Sequence, residues 1–490
     1  MQFFFEPLLL SQIKHLMKLY LMFKYNRHSS STKGRHLMRF RTEADAITYV
    51  FQSIARSGWQ TRGLDEDTRD IAPTRQLLNR LGLPGKKREY AVVTGSKGKG
   101  SVTAITAKLL QSLGHTVGMV TSPHLTTYRQ RFRINGRMMS EADLLRLVDQ
   151  LSPEIDAIVS KLPEGKYLSP QGIFLAMALT WFDEQDVTAA VIEVGRGGRF
   201  DDNALVPNML SLFTPIILEH TRYLGATVER IAWHKAGIIK PHSYAYSVPQ
   251  SPQVMAVLRE EAEALEATFE WLAPADMGQL IAHTSNGLRV DFGRYGVVDL
   301  PMHGVYEIEN ASLAIWAAGN MHARLESDIR HASDEYVTRI RTGLERVFFP
   351  GRCQKLRENP TVYIDGAINT LSAQSFIKSV MPHLTSPVIT VLAVPTDRDV
   401  EGVYALFAPI SDQLILTQSA RNITIKFPPE AQAREIASRL HEHVIWADSI
   451  SQAIQIAEQS AGEYGTVLMA VAQPAIGDAM AHYGLDYEVI

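Results

Sequence analysis

The most informative segment of the sequence reads Thr94-Gly95-Ser96-Lys97-Gly98-Lys99-Gly100-Ser101. The residues just before it, 90–94, are mostly apolar and predict a buried strand. Apolar residues recur every three or four positions over 101–113 and predict a helix, which Gly114 should end. A glycine-rich turn between a strand and a helix predicts an α/β domain with a mainly parallel sheet.

The composition of this turn is typical of a phosphate-binding loop (P-loop). Its glycines let successive backbone N–H groups point at one anion, and the N-terminus of the following helix adds positive potential. Lys99 is placed to reach the β- and γ-phosphates, and the Ser101 hydroxyl is placed to ligate Mg²⁺. The spacing departs from the common P-loop pattern, because Val93 replaces the first glycine, so a glycine-rich turn with solvated lysines is the alternative. We expect the loop to bind ATP through Gly95, Ser96, Lys97, Gly98, Lys99, Gly100 and Ser101.

The composition narrows the class of protein. With 490 residues the chain is too long for one hydrophobic core, so two domains are expected. A formal net charge of -3 gives no sign of a nucleic-acid-binding surface, and we expect neither nucleic acid nor a membrane as a partner. The single cysteine, Cys353, excludes an intramolecular disulfide and a multi-thiolate zinc site, and it is consistent with a reducing cytoplasm.

The first 39 residues form a basic extension that differs from the rest of the chain. Lys and Arg are frequent between Lys14 and Arg41, whereas Glu6 is the single early acid. Residues 8–21 are interrupted by polar residues and are too short an apolar run for a membrane span. We interpret residues 1–39 as a disordered extension, and a basic amphipathic surface or targeting element is the alternative.

Two α/β domains are predicted after this extension. In the first, residues 40–347, strand-like runs end at polar or glycine-rich loops, which is where open α/β sheets bind ligands. Phe348-Phe349-Pro350-Gly351 indicates a hinge, which we place at residues 348–353. The second domain, residues 354–490, is smaller and Rossmann-like. Its predicted strands are 361–364, 388–394, 413–417, 443–446 and 467–471, and its predicted helices include 431–442 and 450–460.

Three further motifs follow the P-loop in the first domain. They are Thr121-Ser122-Pro123-His124-Leu125, Arg131-Phe132-Arg133-Ile134-Asn135-Gly136 and Ile192-Glu193-Val194-Gly195-Arg196-Gly197-Gly198-Arg199-Phe200-Asp201. Together with the short Gly-x-x-Gly-Lys-Gly-Ser loop, they closely resemble the folylpolyglutamate and dihydrofolate synthases. These enzymes are a two-domain branch of the Mur ligases, so the resemblance implies a P-loop ATPase domain followed by a Rossmann-like acceptor domain.

The resemblance implies a metal site and a pterin-binding loop. Ser122 matches a serine at the metal site, and the loop after it helps to hold the pterin, so His124 and Arg131 are expected to bind substrate. Glu193 is expected to ligate Mg²⁺, in keeping with the preference of magnesium for carboxylate oxygens. The alternative is that Glu193 only caps the turn after it. His220 matches the metal-site histidine of the family.

Lys235 matches a lysine that is carbamylated in the family and helps to ligate a second magnesium ion. Carbamylation converts a cation into an anion that can bind metal, and it requires a lysine pKa lowered by nearby charges. In this sequence His234 replaces the glutamate that usually precedes the lysine, so the modification is a hypothesis.

Three further matches concern ATP. Asn310 stands where a family asparagine approaches the nucleotide, and Asp365 where an aspartate contacts the ribose. Arg352 matches an arginine that meets an ATP phosphate when the domains close, a role that suits a planar and permanently charged guanidinium. The expected catalytic residues are accordingly Lys99, Arg352 and Lys235.

The second domain departs from the family pattern. Ile368 replaces a histidine, Thr370 a proline and Pro474 a serine. Isoleucine can neither donate a hydrogen bond nor carry charge. These departures lie where the family binds its incoming glutamate, so they leave the acceptor amino acid open. Asp397-Arg398-Asp399 keeps a segment similar to the family's Asp-Lys-Asp.

The combined expectation is a carbon–nitrogen ligase that uses ATP and Mg²⁺. A folate or pteroate carboxylate attacks the γ-phosphate of ATP, and L-glutamate captures the acyl phosphate to form an amide. We expect a monomeric, cytoplasmic enzyme whose partners are these small molecules. The alternatives are a Mur-type ligase with a different carboxylate or amine, and a nucleotide-binding paralogue without catalysis.

Overall fold

Two mainly parallel sheets form the frame of the protein, one in each domain. The structure is a computed structural model that describes residues 39–55, 57, 63–326, 333–421 and 425–490. Residues 1–38, and with them nearly all of the predicted basic extension, lie outside the described residues. Within the described ranges, no helix is both long and apolar enough to cross a membrane.

The strands are named in chain order. They are β1 (Glu89–Thr94), β2 (Val117–Val120), β3 (Phe132–Ile134), β4 (Arg137–Met138), β5 (Ala189–Glu193), β6 (Leu210–Phe213), β7 (Tyr244–Ser247), β8 (Thr268–Trp271), β9 (Gln279–Thr284), β10 (Gly287–Asp291), β11 (Val297–Leu300), β12 (Gln354–Arg357), β13 (Thr361–Asp365), β14 (Val388–Ala393), β15 (Gln413–Leu416), β16 (Val444–Trp446) and β17 (Thr466–Val471).

The helices are named in the same way. They are α1 (Glu43–Ala55), α2 (Asp65–Thr68), α3 (Ala72–Leu81), α4 (Lys99–Ser112), α5 (Glu141–Val159), α6 (Pro170–Glu184), α7 (Thr221–Leu224), α8 (Val228–Ala236), α9 (Pro252–Ala264), α10 (Glu307–Leu325), α11 (Asp334–Arg346), α12 (Thr370–Val380), α13 (Val400–Phe407), α14 (Glu430–Ser438), α15 (Ile450–Ala461) and α16 (Gln473–His482).

The sheet of the N-terminal domain has eight strands in the order β4-β3-β2-β5-β1-β6-β7-β8. The run from β2 to β8 in this order is parallel, and β3 and β4 add an antiparallel edge. In the register of the central strands, Val93 lies opposite Glu193, and Thr94 lies opposite Phe213. The carboxyl ends of β1, β5 and β6 therefore meet at one edge of the sheet, where the P-loop begins.

Strand β1 is buried on both faces, which explains its continuous apolar sequence. Tyr90 and Val92 pack into the core on the face covered by α1, α5 and α6. Ala91 and Val93 pack into the opposite core, which contains α4, α10 and α11. The helix predicted after the P-loop is confirmed as α4, and Gly114 lies just beyond its end in the left-handed region, with φ +101°.

The C-terminal domain contains a six-stranded sheet in the order β12-β13-β17-β14-β15-β16, in which only β12 is antiparallel. All five strands predicted for this domain are present. The helix predicted over 431–442 is wrong at its C-terminal end, because α14 stops at Ser438. Beyond it, the backbone N–H of His443 donates to the ring of His441 at 3.0 Å, and this contact turns the chain toward β16.

Contacts between the domains place the two carboxyl edges at one cleft. The Gln473 amide donates to the carbonyl oxygen of Pro123 at 3.2 Å, so the start of α16 lies against the loop after β2. The segment after α16 returns to the N-terminal domain, where Arg133 donates to the carbonyl oxygens of Tyr487 and Glu488. The P-loop edge of one sheet therefore faces the carboxyl edge of the other.

Candidate active site

The P-loop requires glycine where neighbouring groups approach it. A Cβ atom on Gly95, whose φ is +147°, would lie 1.8 Å from the hydroxyl oxygen of Thr214. A Cβ atom on Gly98, whose φ is +83°, would lie 2.5 Å from Oδ1 of Asn310. The loop is thus held between the end of β6 and the start of α10, with no space for a side chain at these two positions.

The other small residues of the loop are held by its surroundings. The backbone N–H of Ser96 donates to the carbonyl oxygen of Pro215 at 2.7 Å. Gly100 lies against the ring of Phe349, which a Cβ atom would approach to 2.7 Å. The P-loop is therefore in contact with the segment predicted to be the hinge.

Three lysine ammonium groups lie at the P-loop: Lys97 and Lys99 belong to it, and Lys235 comes from α8. Nζ of Lys99 donates to the Gly95 carbonyl oxygen at 3.1 Å, and Nζ of Lys235 donates to the same oxygen at 2.7 Å. Burial, and next the charge of Lys99, lower the pKa of Lys235 to about 7. Burial lowers the pKa of Lys97 to about 8, although the carboxylate of Glu219, 3.8 Å away, opposes this effect. Buried ammonium groups this close together would be stabilised by a polyanion.

Glu193 lies at the end of β5, beside the strand that leads into the P-loop. It is buried, and the backbone N–H of Ser122 donates to its Oε2 at 2.9 Å. Burial raises the pKa of the Glu193 carboxyl, while the charges of Lys99, Arg352 and Arg131 oppose this effect. The carboxylate therefore faces the same cleft as the cationic side chains.

His220 lies directly before α7 in a left-handed backbone conformation, with φ +52°. Burial lowers the pKa of its imidazole to about 4; the charge of Glu219 opposes this, and Arg398 and Lys235 reinforce it. The ring is neutral at pH 7, so a nitrogen lone pair can bind a metal ion.

The predicted metal ligands fit a magnesium–nucleotide complex better than a free metal ion. Within the described part of the chain, no group of three or more His, Cys, Asp or Glu side chains is arranged to hold a metal ion by itself. Magnesium bound mainly by phosphates and water needs only one or two protein carboxylates, and Glu193 meets that need. The predicted ligands lie in or beside the P-loop; they are Ser101, Ser122, Glu193, His220 and Lys235.

Ser101 and Asn310 share a partner that the sequence reasoning missed. The Ser101 hydroxyl donates to Oε1 of Glu307 at 2.8 Å, and the Asn310 amide donates to Oε2 at 2.9 Å. Glu307 is fully buried in the first turn of α10, and burial raises the pKa of its carboxyl to about 7. The available signal was the three-residue spacing of Glu307 and Asn310, which places both on one face of a helix.

Arg352 and Asp365 lie on the C-terminal side of the cleft. The Arg352 guanidinium donates to the Gly351 carbonyl oxygen at 3.0 Å. At the end of β13, Oδ2 of Asp365 accepts hydrogen bonds from the Tyr306 hydroxyl at 2.5 Å and from the Cys353 N–H at 2.7 Å. Burial raises the pKa of the Asp365 carboxyl, and the charge of Arg352 opposes this effect. The two predicted nucleotide-site residues are thus neighbours.

His124 and Arg131 form an aromatic and cationic surface beside Ser122. Nε of Arg131 donates to Nδ1 of His124 at 3.2 Å. Burial, followed by the charge of Arg131, lowers the pKa of His124 to about 3, so its ring is neutral. The ring centroids of His124 and Tyr128 are 4.0 Å apart, and the Arg131 guanidinium lies 5.1 Å from the Tyr128 ring centroid and 5.4 Å from that of Phe174. This surface suits a planar ring system.

Arg398 is a second residue of the cleft to which the sequence analysis gave no role. It follows β14 in the C-terminal domain, and its Nε is buried with no hydrogen-bond partner among the described residues. The Asp397 carboxylate lies 3.7 Å from this nitrogen. Burial is the main cause of the lowered pKa values of Lys97 and His220. The charge of Arg398 lowers both of them further. Arg398 therefore lies on the C-terminal side of the cleft, within electrostatic reach of the P-loop, and the Asp397-Arg398-Asp399 motif was the sequence signal.

An ATP-dependent ligase of the Mur type is the class of protein that this cleft between two α/β domains defines. Residues 93–318 match the model of the Mur ligase middle domain, and residues 351–472 match that of the Mur ligase, glutamate ligase domain. A dihydrofolate synthase/folylpolyglutamate synthase of Bacillus subtilis (strain 168) is 30% identical over 405 residues, which cover 81% of this chain and 90% of that protein. The chain belongs to the folylpolyglutamate synthase/dihydrofolate synthase family of the Mur ligase superfamily.

Solved structures show the same architecture. The folylpolyglutamate synthase of Mycobacterium tuberculosis complexed with ADP is 26% identical, with a TM-score of 0.76 over 90% of this chain and 100% of that one. The same synthase complexed with ADP and AMPPCP has a TM-score of 0.75, with 86% of this chain and 97% of that one covered. The α/β fold with a second, separate α/β domain is therefore that of these enzymes, which are ATP-dependent carbon–nitrogen ligases.

Proposed function

We propose that the protein joins the carboxylate of a folate or pteroate to L-glutamate and converts ATP to ADP and phosphate. The curated relatives of similar length are dihydrofolate and folylpolyglutamate synthases, and the related M. tuberculosis synthase binds ADP and AMPPCP. The match of residues 351–472 to a glutamate ligase domain supports glutamate as the acceptor.

The observation that carries this proposal is the charge arrangement at Gly95. The ammonium groups of Lys99 and Lys235 meet at its carbonyl oxygen, and Glu193 lies at the next strand end with its carboxylate in the same cleft. Cations grouped around a glycine turn at a helix N-terminus suit a triphosphate, and a buried carboxylate beside them suits its metal ion.

The chemistry consists of two transfers. An oxygen of the substrate carboxylate attacks the γ-phosphorus of ATP, the bond to the β,γ-bridging oxygen breaks, and ADP leaves. The glutamate amine then attacks the carbonyl carbon of the acyl phosphate, loses a proton and expels inorganic phosphate. Lys99 and the P-loop N–H groups stabilise charge on the transferring phosphoryl group, and Arg352 adds to this from the other side of the cleft. No side chain acts as a covalent nucleophile.

Magnesium is the metal that this donor set fits. Glu193 would supply the carboxylate, with Ser101, Ser122 and the neutral imidazole of His220 around the same site; Lys235 would join them if carbamylated. When bound, the ion neutralises phosphate charge.

The surface formed by His124, Tyr128 and Arg131 is proposed to hold the planar ring of the pterin. A neutral imidazole and a phenol ring offer stacking faces, and the guanidinium beside them can donate to ring oxygens and nitrogens. Its position next to Ser122 would direct the rest of the substrate toward the P-loop.

We propose residues 40–347 as the ATP-binding domain, 348–353 as the hinge and 354–490 as the acceptor domain. Phe349 contacts Gly100, so a rotation of the second domain about residues 348–353 would move the Phe349 ring relative to the P-loop. This coupling between the segment and the nucleotide site supports a hinge at this position. A monomeric, cytoplasmic enzyme is the accompanying proposal for its state and location.

A different amine remains the second candidate, and Ile368 is the observation that favours it. Its half-buried side chain packs on the C-terminal core just after Asp365, where the family carries a histidine. An apolar side chain at this place cannot bind a carboxylate of the acceptor.

The test is ADP formation by the purified full-length protein with Mg²⁺, a panel of folates and pteroates, and a panel of amino acids. We expect ADP release only when both co-substrates are present, and a product heavier than the folate by one glutamyl unit in the mass spectrum. Ligation of another amino acid would support the second candidate. ATP turnover that ignores both substrates would contradict the proposal.

A further inference from the structure

Glu307 is a buried carboxylate whose two oxygens each hold one nucleotide-site side chain. Oε1 accepts the Ser101 hydroxyl at 2.8 Å, and Oε2 accepts the Asn310 amide at 2.9 Å. Glu307 is fully buried, and the charge of Arg352 offsets only part of the cost of its burial. A buried carboxylate is costly to fold, so its hydrogen bonds need an explanation.

The contact with Ser101 fixes how that hydroxyl can act. A serine hydroxyl has one proton and two lone pairs. Because the proton points to Glu307, both lone pairs are free for a cation on the P-loop side. An outer carboxylate that accepts from a ligating group fixes the orientation of that group and makes it a better donor of electrons.

The contact with Asn310 fixes the orientation of the Asn310 side-chain amide. With its NH₂ group on Glu307, the amide turns its Oδ1 to the P-loop, where a Cβ atom of Gly98 would lie 2.5 Å away. Glu307 thus sets which end of the Asn310 amide a nucleotide meets. One carboxylate couples the loop hydroxyl to the amide on α10.

We propose that Glu307 is a positioning residue that orients the Ser101 hydroxyl for Mg²⁺ and the Asn310 amide for the nucleotide. The inference rests on the proposed function, because it assumes that both side chains meet a magnesium–nucleotide complex. It assigns to Glu307 no contact with the substrates themselves.

The test is calorimetric titration of the full chain with ADP and with a non-hydrolysable ATP analogue, each with and without Mg²⁺. In Glu307→Ala, the Kd for the magnesium–nucleotide complex should rise 10- to 100-fold, as is usual for loss of an outer-shell partner. The Kd measured without Mg²⁺ should rise less, because only the Asn310 contact then matters. Glu309→Ala is the matched control: this half-buried acid lies in the same helical turn, and its variant should bind as the wild type does.

If Glu307 only stabilised the fold, replacing Glu307 and replacing Ser101 would weaken magnesium-dependent binding independently of each other. In Ser101→Ala, the additional change Glu307→Ala should weaken magnesium-dependent binding by no more than about 3-fold, because the hydroxyl it orients is gone. Independent, multiplying losses in the double variant, or unchanged binding in Glu307→Ala, would overturn the inference.

Two further results keep this inference separate from the proposed function. If Glu307→Ala does not fold, Glu307→Gln serves, because its amide oxygen still accepts from Ser101 while its NH₂ group faces that of Asn310. That variant should keep most of the magnesium dependence and lose affinity for the nucleotide; wild-type values for both would overturn the inference. Wild-type protein that binds no nucleotide would defeat the proposed function itself.

Discussion

Lys99 and Lys235 donate to one carbonyl oxygen, that of Gly95, from two different helices, α4 and α8. Two ammonium groups at one acceptor repel each other, and burial removes the water that would screen them. This is why the pKa of Lys235 falls to about 7, with burial as the larger cause and Lys99 as the next. The two lysines nevertheless serve different purposes in the proposed reaction, and they can be tested separately.

Replacement of Lys99 by alanine should abolish most of the activity. This ammonium is the proposed partner of the transferring phosphoryl group, and loss of one such electrostatic contact typically lowers kcat by about 10²- to 10³-fold. The measurement is ADP release at saturating ATP and folate. Lys161→Ala, which removes an exposed lysine at the end of α5, is the control and should retain full activity. Unchanged turnover in Lys99→Ala would contradict the role of the P-loop.

Lys235 should form a carbamate with dissolved carbon dioxide. Only the neutral amine reacts, so a pKa of about 7 makes the reactive form dominant at pH 8 and minor at pH 6. Protein in ¹³C-bicarbonate should therefore show a carbamate resonance at pH 8 that weakens at pH 6 and is missing in Lys235→Arg. Lys240→Arg, at a half-buried lysine just after α8, should keep the resonance. No signal at pH 8 in the wild type would show that Lys235 is not carbamylated.

The sequence was sufficient for several of the strands that are buried on both faces. Strands such as β1 and β17 are continuous apolar runs because helices cover both sides of the sheet, and this pattern is visible without a structure. Strands β9, β10 and β11 escaped prediction, because they form a small antiparallel sheet with exposed positions such as Leu280 and Val297. Half-exposed edge strands carry a weak hydrophobic pattern.

The residues of the candidate site likewise fall into those that the sequence predicts and those that it does not. Residues of the P-loop and its neighbouring strand ends were predictable, since glycines and charges at strand ends mark ligand sites. Glu307 was not, because an acid in the first turn of a helix is ordinarily explained by the helix dipole. Its function depends on contact with Ser101, which is 206 positions away in the sequence and is brought near only by the packing of α10 on α4.

Arg398→Ala should raise the KM for the amino acid far more than the KM for ATP. Arg398 reaches the cleft from the C-terminal domain, and its buried Nε has no hydrogen-bond partner in the described residues. A guanidinium in this position suits the carboxylate of the acceptor. We expect a KM increase of about 10-fold or more, as for loss of a charge-assisted hydrogen bond. Arg439→Ala, at an exposed arginine of the same domain, is the control, and equal changes in both KM values would contradict the assignment.

Three histidines form a cluster between the small antiparallel sheet and the C-terminal domain. His283 and His303 lie 5.7 and 5.9 Å, ring centroid to ring centroid, from His383. Each ring has a buried nitrogen without a hydrogen-bond partner in the described structure. Burial lowers the pKa of all three, and that of His303 to about 4. The charged and titratable groups that face the cluster are Lys355 of β12, Glu358 after it, Tyr363 of β13 and Lys378 of α12.

The protein should therefore lose stability in mild acid, and His303 should account for much of the loss. Its pKa is about 6.5 when unfolded and about 4 when folded, so below pH 6.5 the unfolded chain binds a proton that the folded chain excludes. The stabilisation is complete above pH 6.5 and disappears as the pH falls toward 4. From pH 7.5 to pH 5 this amounts to about 2 kcal/mol in the free energy of unfolding.

Urea unfolding of His303→Gln at both pH values measures this contribution. The variant should be less stable at pH 7.5 because of lost packing, but its stability should change about 2 kcal/mol less than that of the wild type on going to pH 5. His242→Gln, at an exposed histidine, should behave as the wild type at both values. Equal pH dependence in wild type and His303→Gln would show that His303 does not exclude its proton in the folded state.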